Sequence, residues 1–107
     1  MRWLACVLLL AACARPAEPV LVTYWYLDFC SACRATREGL TASQKSRADF
    51  QLQLIDHRAP GAAEAIRALG FQRHGLVVRR GDEVLLKQAD HRVRLADVEV
   101  TLAGGPP

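Results

Sequence analysis

The chain has 107 residues, which is enough for one domain and no more. Its formal net charge of +3 is too small to indicate a nucleic-acid-binding surface, and the arginines are scattered as on an ordinary solvated surface. We therefore expect a single small domain that has no nucleic-acid partner and requires no cofactor.

The N-terminal residues are typical of an export signal. Arg2 precedes an apolar run of twelve residues, WLACVLLLAACA, which is too short for a bilayer span of about 20 residues and matches the n-region and h-region of a secretory signal. The run contains LAAC (residues 10–13), which resembles the bacterial lipoprotein signal. That resemblance implies that residues 1–12 are removed and that Cys13 is lipidated as the mature N-terminus. The alternative is a plain signal peptide with an incidental cysteine.

These assignments give each of the four cysteines of the chain a separate expected role. Cys6 is removed with the signal and Cys13 carries the lipid, which leaves Cys30 and Cys33 as two thiols in an exported, oxidising compartment. A lipoprotein carries several acyl chains, as stable anchoring requires, so we expect the protein at the periplasmic face of the bacterial envelope. Ala14 after the lipidated cysteine favours the outer membrane. The predicted segments are then a lipidated N-terminus and tether (residues 13–19), a domain (residues 20–103) and a tail (residues 104–107).

The first half of the predicted domain contains two strands and a helix. VLVTYWYLDF (residues 20–29) is a continuous apolar run rich in β-branched and aromatic residues, which predicts a strand buried on both faces. ACRATREGLTASQKSRADF (residues 32–50) has helical composition, with Gly39 as its weak point. FQLQLID (residues 50–56) alternates apolar and polar residues and predicts a second strand.

The second half contains a helix, a hairpin and a last helix. APGAAEAIRALGF (residues 59–71) predicts a short helix that Gly70 ends. GLVVRRGDEVLLKQ (residues 75–88) has two apolar runs around RRGD, which predicts an antiparallel hairpin with Gly81 in the turn. RLADVEVTL (residues 94–102) predicts the last helix. The buried faces are expected to consist of Ala62, Ile66 and Leu69 in the first of these helices and of Leu95, Val98 and Leu102 in the second.

The predicted order of elements is therefore β-α-β-α-β-β-α. Two strands joined through a helix are expected to be parallel with a right-handed crossover, whereas the hairpin is antiparallel. The sequence thus predicts an α/β fold with a central mixed β-sheet and helices on both faces.

Cys30 and Cys33 lie at the junction between the first strand and the first helix. Unpaired amide groups at the start of the helix point at Cys30 and stabilise a thiolate there, which lowers a thiol pKa from about 8.5 to roughly 3.5–7.5. The two-residue spacer lets Cys33 reach back and resolve a mixed disulfide at Cys30. Two alternatives remain: a static disulfide, which stabilises little because its loop is short, and a metal site.

At this point the chain resembles the thioredoxin-like family. The resemblance covers residues 20–102 and rests on Cys30 and Cys33 after VTYWYLDF, on QLIDHRAPG as the next strand and loop, and on LGF before the hairpin. It implies a thioredoxin fold and thiol–disulfide exchange with protein thiols or disulfides, in which Cys30 attacks and Cys33 resolves. A separate electron donor or acceptor is then needed, because one small domain has no room for an electron-relay domain.

The chain departs from the family pattern at three positions. Phe29 stands where the family usually has a tryptophan, and Tyr24 stands where it often has a buried acid that moves the proton of the resolving thiol. The family also has a cis-proline before the hairpin, facing the cysteines. No proline lies between Pro60 and Pro106, and the corresponding position falls at His74 or Gly75.

The missing proline has two expected consequences. In the family its backbone pairs with the extended substrate, so substrate recognition is expected to differ here. It also keeps metals off the thiolates, so the alternative function is a non-catalytic module that binds copper or zinc through Cys30, Cys33 and His74, or docks a partner there. His74 lies either at the hairpin edge or beside the cysteines, whereas His57 and His91 are predicted to be exposed.

Overall fold

The computed structural model describes residues 18–104. Its elements follow the predicted order, with one short 3₁₀ helix that the sequence did not predict. The strands are β1 (Val20–Tyr26), β2 (Phe50–Asp56), β3 (Gly75–Arg80) and β4 (Glu83–Ala89). The helices are α1 (Ser31–Ser46), α2 (Ala62–Ala68), the 3₁₀ helix (Asp90–Arg92) and α3 (Leu95–Leu102). The predicted signal, the lipidation site Cys13 and the first part of the tether lie outside the described residues and stay predictions.

The four strands form one mixed sheet in the order β2-β1-β3-β4. β1 runs parallel to β2, which follows it through α1, and antiparallel to β3. β3 and β4 form the predicted hairpin around a two-residue turn, in which Gly81 has a φ of +59° that favours glycine. The predicted α/β class with a mixed sheet is therefore confirmed.

Helices cover both faces of the sheet, which explains why β1 and β3 are apolar without alternation. Tyr24 of β1 is buried on the face that packs against α1 and α3, and its neighbour Trp25 is buried on the face that packs against α2. The core on the first face also includes Val22, Leu40, Leu76, Val78 and Val98. The core on the second face includes Ala62, Ile66, Phe71 and Val77.

The two predicted short helices bury only part of their expected faces, since Leu69, Leu95 and Leu102 are half-buried. α2 buries Ala62 and Ile66, and Gly70 follows its end with a φ of +82°. α3 buries Val98, as predicted, together with Thr101, which was not predicted. A threonine is tolerated on this buried face because its hydroxyl donates to the backbone oxygen of Asp97 at 2.8 Å.

Gly39 lies in the middle of α1, which runs through it without a break. A Cβ atom at this position would overlap the side chain of Leu95 at the start of α3. The glycine is therefore better explained by the close approach of two helices than by the weak point that the sequence predicted.

Candidate functional site

Cys30 lies at the N-cap of α1, in extended backbone immediately before the first helical residue. Its Sγ atom accepts a hydrogen bond from the backbone N–H of Cys33 at 3.3 Å. This is the arrangement in which a polar side chain satisfies one of the free amides at a helix start. The side chain is half-buried, so a disulfide of another molecule has access to the sulfur.

The surroundings of Cys30 favour its ionised form. The thiol of Cys33, followed by the backbone amide of the same residue, lowers the pKa of Cys30 below its usual value, and the amide of Ala32 contributes in the same direction. Slight burial opposes this effect but does not cancel it. Cys30 is therefore the more nucleophilic of the two thiols.

Cys33 lies one turn inside α1, where only 1% of its surface is exposed. Burial raises the pKa of Cys33, and the neighbouring Cys30 adds to the increase because two adjacent thiolates repel each other. The side chain of Tyr24 opposes the increase. The pair therefore consists of an accessible thiol that ionises readily and a buried thiol that retains its proton.

Tyr24 occupies the position where the resemblance implied a buried acid. It lies in β1 with 1% of its surface exposed. Burial, together with the Cys33 thiol beside it, raises the pKa of Tyr24 far above its usual value. The phenol is neutral at physiological pH, so it can donate a hydrogen bond to Cys33 but cannot remove a proton from it.

His74 immediately precedes β3 and is buried, with 3% of its surface exposed. Its Nδ1 atom lies 3.8 Å from the Sγ atom of Cys33, although the two residues are 41 positions apart. Of the two locations considered for His74, the structure places the side chain beside Cys33. The described part of the chain contains no cis peptide bond, so the backbone here is trans.

Gly75, the other candidate for the proline position, is the first residue of β3. It is buried, and a Cβ atom on it would overlap the aromatic ring of Phe71. The residue therefore contributes space for this ring, which packs on the α2 face of the sheet. It brings no functional group to the cysteines.

Asp90 was not predicted, and it fixes the position of His74. Its Oδ1 atom accepts hydrogen bonds from the backbone amides of His74 and Arg73, each at 3.1 Å, and its own amide donates to the carbonyl oxygen of His74 at 2.9 Å. The same Oδ1 atom lies 3.9 Å from Nε2 of His74. Asp90 has a φ of +48°, which is uncommon for a residue other than glycine and is held here by these bonds.

Asp90 is ionised in this setting. Although burial opposes the charge, the backbone amides of His74 and Arg73 hold the pKa of Asp90 below its usual value. Burial lowers the pKa of His74, and the Asp90 carboxylate partly offsets that effect. The imidazole is therefore neutral near pH 7, with a fixed negative charge close to one nitrogen and a thiol close to the other.

The other two histidines differ in their surroundings. His91 is exposed, as predicted, on the 3₁₀ helix, and its ring centroid lies 5.2 Å from that of His74. His57 is half-buried, so the prediction of an exposed side chain was wrong. Its Nε2 atom is buried without a hydrogen-bond partner, because its ring lies in edge contact with Phe29 and lines the groove next to α2.

A groove of about 390 Å³ lies between the turn after β1 and α2. Phe29, which directly precedes Cys30, lines it with a side chain that is 80% exposed. The groove contains apolar and basic side chains and no acidic one: Leu27, Phe29, His57, Ala63, Ile66, Arg67, Gln72 and Arg73. Asp28 is exposed and forms an ion pair with Arg58 at 3.2 Å.

Within residues 18–104, no three histidine, cysteine or acidic side chains are grouped closely enough to hold a metal ion. The candidate set of Cys30, Cys33 and His74 is thus not assembled as a metal centre in the described structure. No helix in the same range is both long and apolar enough to cross a membrane.

Comparison with known proteins gives the fold. No protein-family model and no curated protein matches the sequence. Among solved structures, thioredoxin f2 of Chlamydomonas reinhardtii superposes with a TM-score of 0.64 at 13% identity, covering 87% of this chain and 86% of that one. Thioredoxin-2 of a malaria parasite, a component of that organism's protein secretion machinery, gives 0.66 at 17% identity, covering 84% and 86%. A further malarial protein gives 0.66 at 18% identity, covering 81% and 97%. The chain therefore has a thioredoxin fold, with its Cys-x-x-Cys pair at the start of the first helix.

Proposed function

We propose that the protein is a thiol–disulfide oxidoreductase that exchanges disulfides with other proteins through Cys30 and Cys33. The observation that carries this proposal is the asymmetry of the pair. Cys30 is accessible and capped by helix amides that favour its thiolate, whereas Cys33 is buried and protonated within reach of it. This asymmetry is what a nucleophile and a resolving thiol require.

In the reducing direction, the Cys30 thiolate attacks one sulfur of a substrate disulfide and forms a mixed disulfide, and the other substrate sulfur leaves as a thiolate. Cys33 then loses its proton and attacks Cys30, which releases the second substrate thiolate and leaves a Cys30–Cys33 disulfide. Two electrons have passed to the substrate, and an external dithiol must restore the pair. The same steps in reverse oxidise a substrate dithiol.

The groove lined by Phe29, the residue before Cys30, supports an extended polypeptide as the substrate. Phe29 exposes 80% of its surface there, although a side chain of this size is usually buried in a small domain. An aromatic side chain beside the reactive sulfur offers apolar contact to residues that flank a substrate cysteine. The groove thereby takes over recognition that the resemblance assigned to the missing proline.

A turnover assay tests the proposed reaction. The purified protein should catalyse reduction of a small disulfide-bonded protein by dithiothreitol, and Cys30→Ser should abolish this catalysis. Cys13→Ser, which removes a cysteine outside residues 18–104, is the matched control and should retain it. If the wild-type protein is as inert as Cys30→Ser, the proposed function is wrong.

We also propose that the domain is held at the periplasmic face of a bacterial envelope, in the outer membrane, by lipid on Cys13. The support is the sequence LAAC after a short apolar run and the absence of aspartate at residue 14. Cells supplied with labelled palmitate should label the wild-type protein and Cys6→Ala, but not Cys13→Ala. Equal labelling of Cys13→Ala, or no labelling of the wild type, contradicts the anchor.

A further inference from the structure

One buried histidine contacts the buried thiol. Nδ1 of His74 lies 3.8 Å from Sγ of Cys33, and both side chains are almost completely removed from solvent. The opposite nitrogen, Nε2, lies 3.9 Å from the carboxylate of Asp90. The thiol of Cys33 on α1, the imidazole of His74 before β3 and the carboxylate of Asp90 after β4 therefore lie next to one another in this order.

We propose that His74 is the base of the resolving step, which accepts the proton of Cys33 as this thiol attacks the mixed disulfide at Cys30. Asp90 is a positioning residue that fixes His74 and stabilises the imidazolium once it forms. This inference rests on the proposed oxidoreductase function and assigns a catalytic role to a residue that stands where the resemblance implied a proline.

A buried thiol needs a specific proton acceptor because solvent does not reach it freely. Tyr24 contacts Cys33 but is a neutral phenol whose raised pKa makes it a donor. Asp28 is exposed and paired with Arg58, so it offers no acceptor to the buried sulfur. In the described part of the chain, His74 is the ionisable acceptor in contact with Cys33.

The proton moves after the first chemical step. In the free dithiol, the Cys30 thiolate disfavours a second negative charge and keeps the proton on Cys33. When Cys30 enters a mixed disulfide, it is uncharged and this obstacle disappears. The proton then passes from Sγ of Cys33 to Nδ1 of His74, a new bond joins the two cysteine sulfurs, and the bond to the substrate sulfur breaks. The substrate leaves as a thiolate that takes up a proton from His74 or from water.

Several charges act on His74 and set the pH range of this step. Its own burial and the neighbouring His91, His57 and Arg73 favour the neutral imidazole, and Asp90 favours the imidazolium. On balance the pKa of His74 lies below its usual value, so the base is free at neutral pH. The bonds from Asp90 to the backbone of His74 keep Nδ1 directed at the sulfur.

Single-turnover kinetics separate the two chemical steps. The reduced protein is mixed with a small aromatic disulfide that releases one coloured thiolate when Cys30 attacks and a second when Cys33 resolves the adduct. His74→Gln should leave the first release unchanged and slow the second by about 100-fold, since a positioned base typically contributes 10²–10⁴-fold. At a pH well above the inflection of His74, where this base is already free, His91→Gln, which removes the adjacent exposed histidine, should leave both releases at the wild-type rate.

The pH profile of the wild-type second release provides an independent test. The rate should rise as His74 loses its proton and reach a plateau, with an inflection below the usual histidine pKa of about 6.5. In His74→Gln the rate should instead continue to rise into the alkaline range where Cys33 itself ionises. Asp90→Asn should move the inflection to lower pH, because the imidazolium loses its negative neighbour.

The outcomes distinguish this inference from the function on which it rests. If His74→Gln is folded and releases both thiolates at wild-type rates, His74 is not the base and the oxidoreductase function stands. If His74→Gln does not fold, the wild-type profile decides, and a second release that only follows the ionisation of Cys33 overturns the inference. If the wild-type protein shows no first release, the proposed function itself fails and takes the inference with it.

Discussion

The two cysteines of the motif lie one helical turn apart, yet different parts of the molecule control them. Cys30 owes its low pKa to groups within three residues of it: the thiol and amide of Cys33 and the amide of Ala32. Cys33 owes its high pKa to burial, and its neighbours come from β1 and from the start of β3. The reactivity of the first thiol is therefore local, whereas that of the second is a property of the tertiary fold.

The largest effect on this comparison should come from Cys33→Ser. Serine cannot attack a disulfide, but its hydroxyl can replace the Cys33 thiol as a donor and the backbone amides of Cys33 and Ala32 remain, so Cys30 should still attack substrate while the resolving step is lost. We expect a stable mixed disulfide with substrate protein and no multiple turnover. Non-reducing electrophoresis and mass spectrometry should show the adduct in Cys33→Ser but not in the Cys30→Ser, Cys33→Ser double variant. Continued turnover by Cys33→Ser would show that the second thiol is not the resolver.

A smaller effect is expected from Gly75→Ala, which disturbs the packing at the start of β3, next to His74. The added methyl group overlaps the rigid ring of Phe71, and overpacking of this kind costs about 1–3 kcal/mol of unfolding free energy. Gly39→Ala is the matched control. There the added methyl meets the flexible end of Leu95, and alanine gains about 1 kcal/mol in helix propensity.

Urea denaturation of the reduced proteins measures both variants. Gly75→Ala should lower the midpoint by more than Gly39→Ala does. Equal midpoints would mean that the start of β3, and with it the position of His74, is less tightly packed than the structure indicates.

The smallest effect should come from Tyr24→Phe, which removes the hydroxyl that lowers the pKa of Cys33. Its loss raises the pKa of Cys33 further. A hydrogen bond contributes about 0.5–1.5 kcal/mol, which corresponds to a second thiolate release about 2- to 10-fold slower. Tyr26→Phe removes a hydroxyl from the same strand and should change neither release. A loss as large as that of His74→Gln would instead show that the Tyr24 hydroxyl controls the ionisation of Cys33 as strongly as His74 does.

The surroundings of Cys30, which come from neighbouring residues in the chain, could be predicted from the sequence. A buried apolar strand that ends at Tyr26, a short turn and a helix that begins at Ser31 follow one another along the chain, so the local sequence places Cys30 at the helix start. The sheet was equally accessible, because the hairpin around Gly81 and the helix between β1 and β2 determine which strands are antiparallel and parallel.

The surroundings of Cys33, which depend on the tertiary fold, could be predicted only in part. The missing proline directed attention to His74 and Gly75, but the direction of the imidazole depends on how β3 packs. Asp90 was missed because of a bulge in the hairpin. Arg80 pairs with Glu83 beside the turn, whereas Gly75 pairs with Ala89 after a shift at Val78/Arg79. Without that shift, continuing the register past the end of β3 would bring the side chain of Ala89, not Asp90, to His74.

The central claim is that the pKa of one thiol lies below its usual value and that the pKa of the other lies above it. Nuclear magnetic resonance of the reduced protein, with isotope-labelled cysteine Cβ atoms, follows each thiol separately as the pH is raised. We expect Cys30 to titrate first, below the usual thiol pKa of about 8.5, and Cys33 to titrate above it. Coincident titrations, or a Cys33 that ionises before Cys30, would contradict the assignment of nucleophile and resolver.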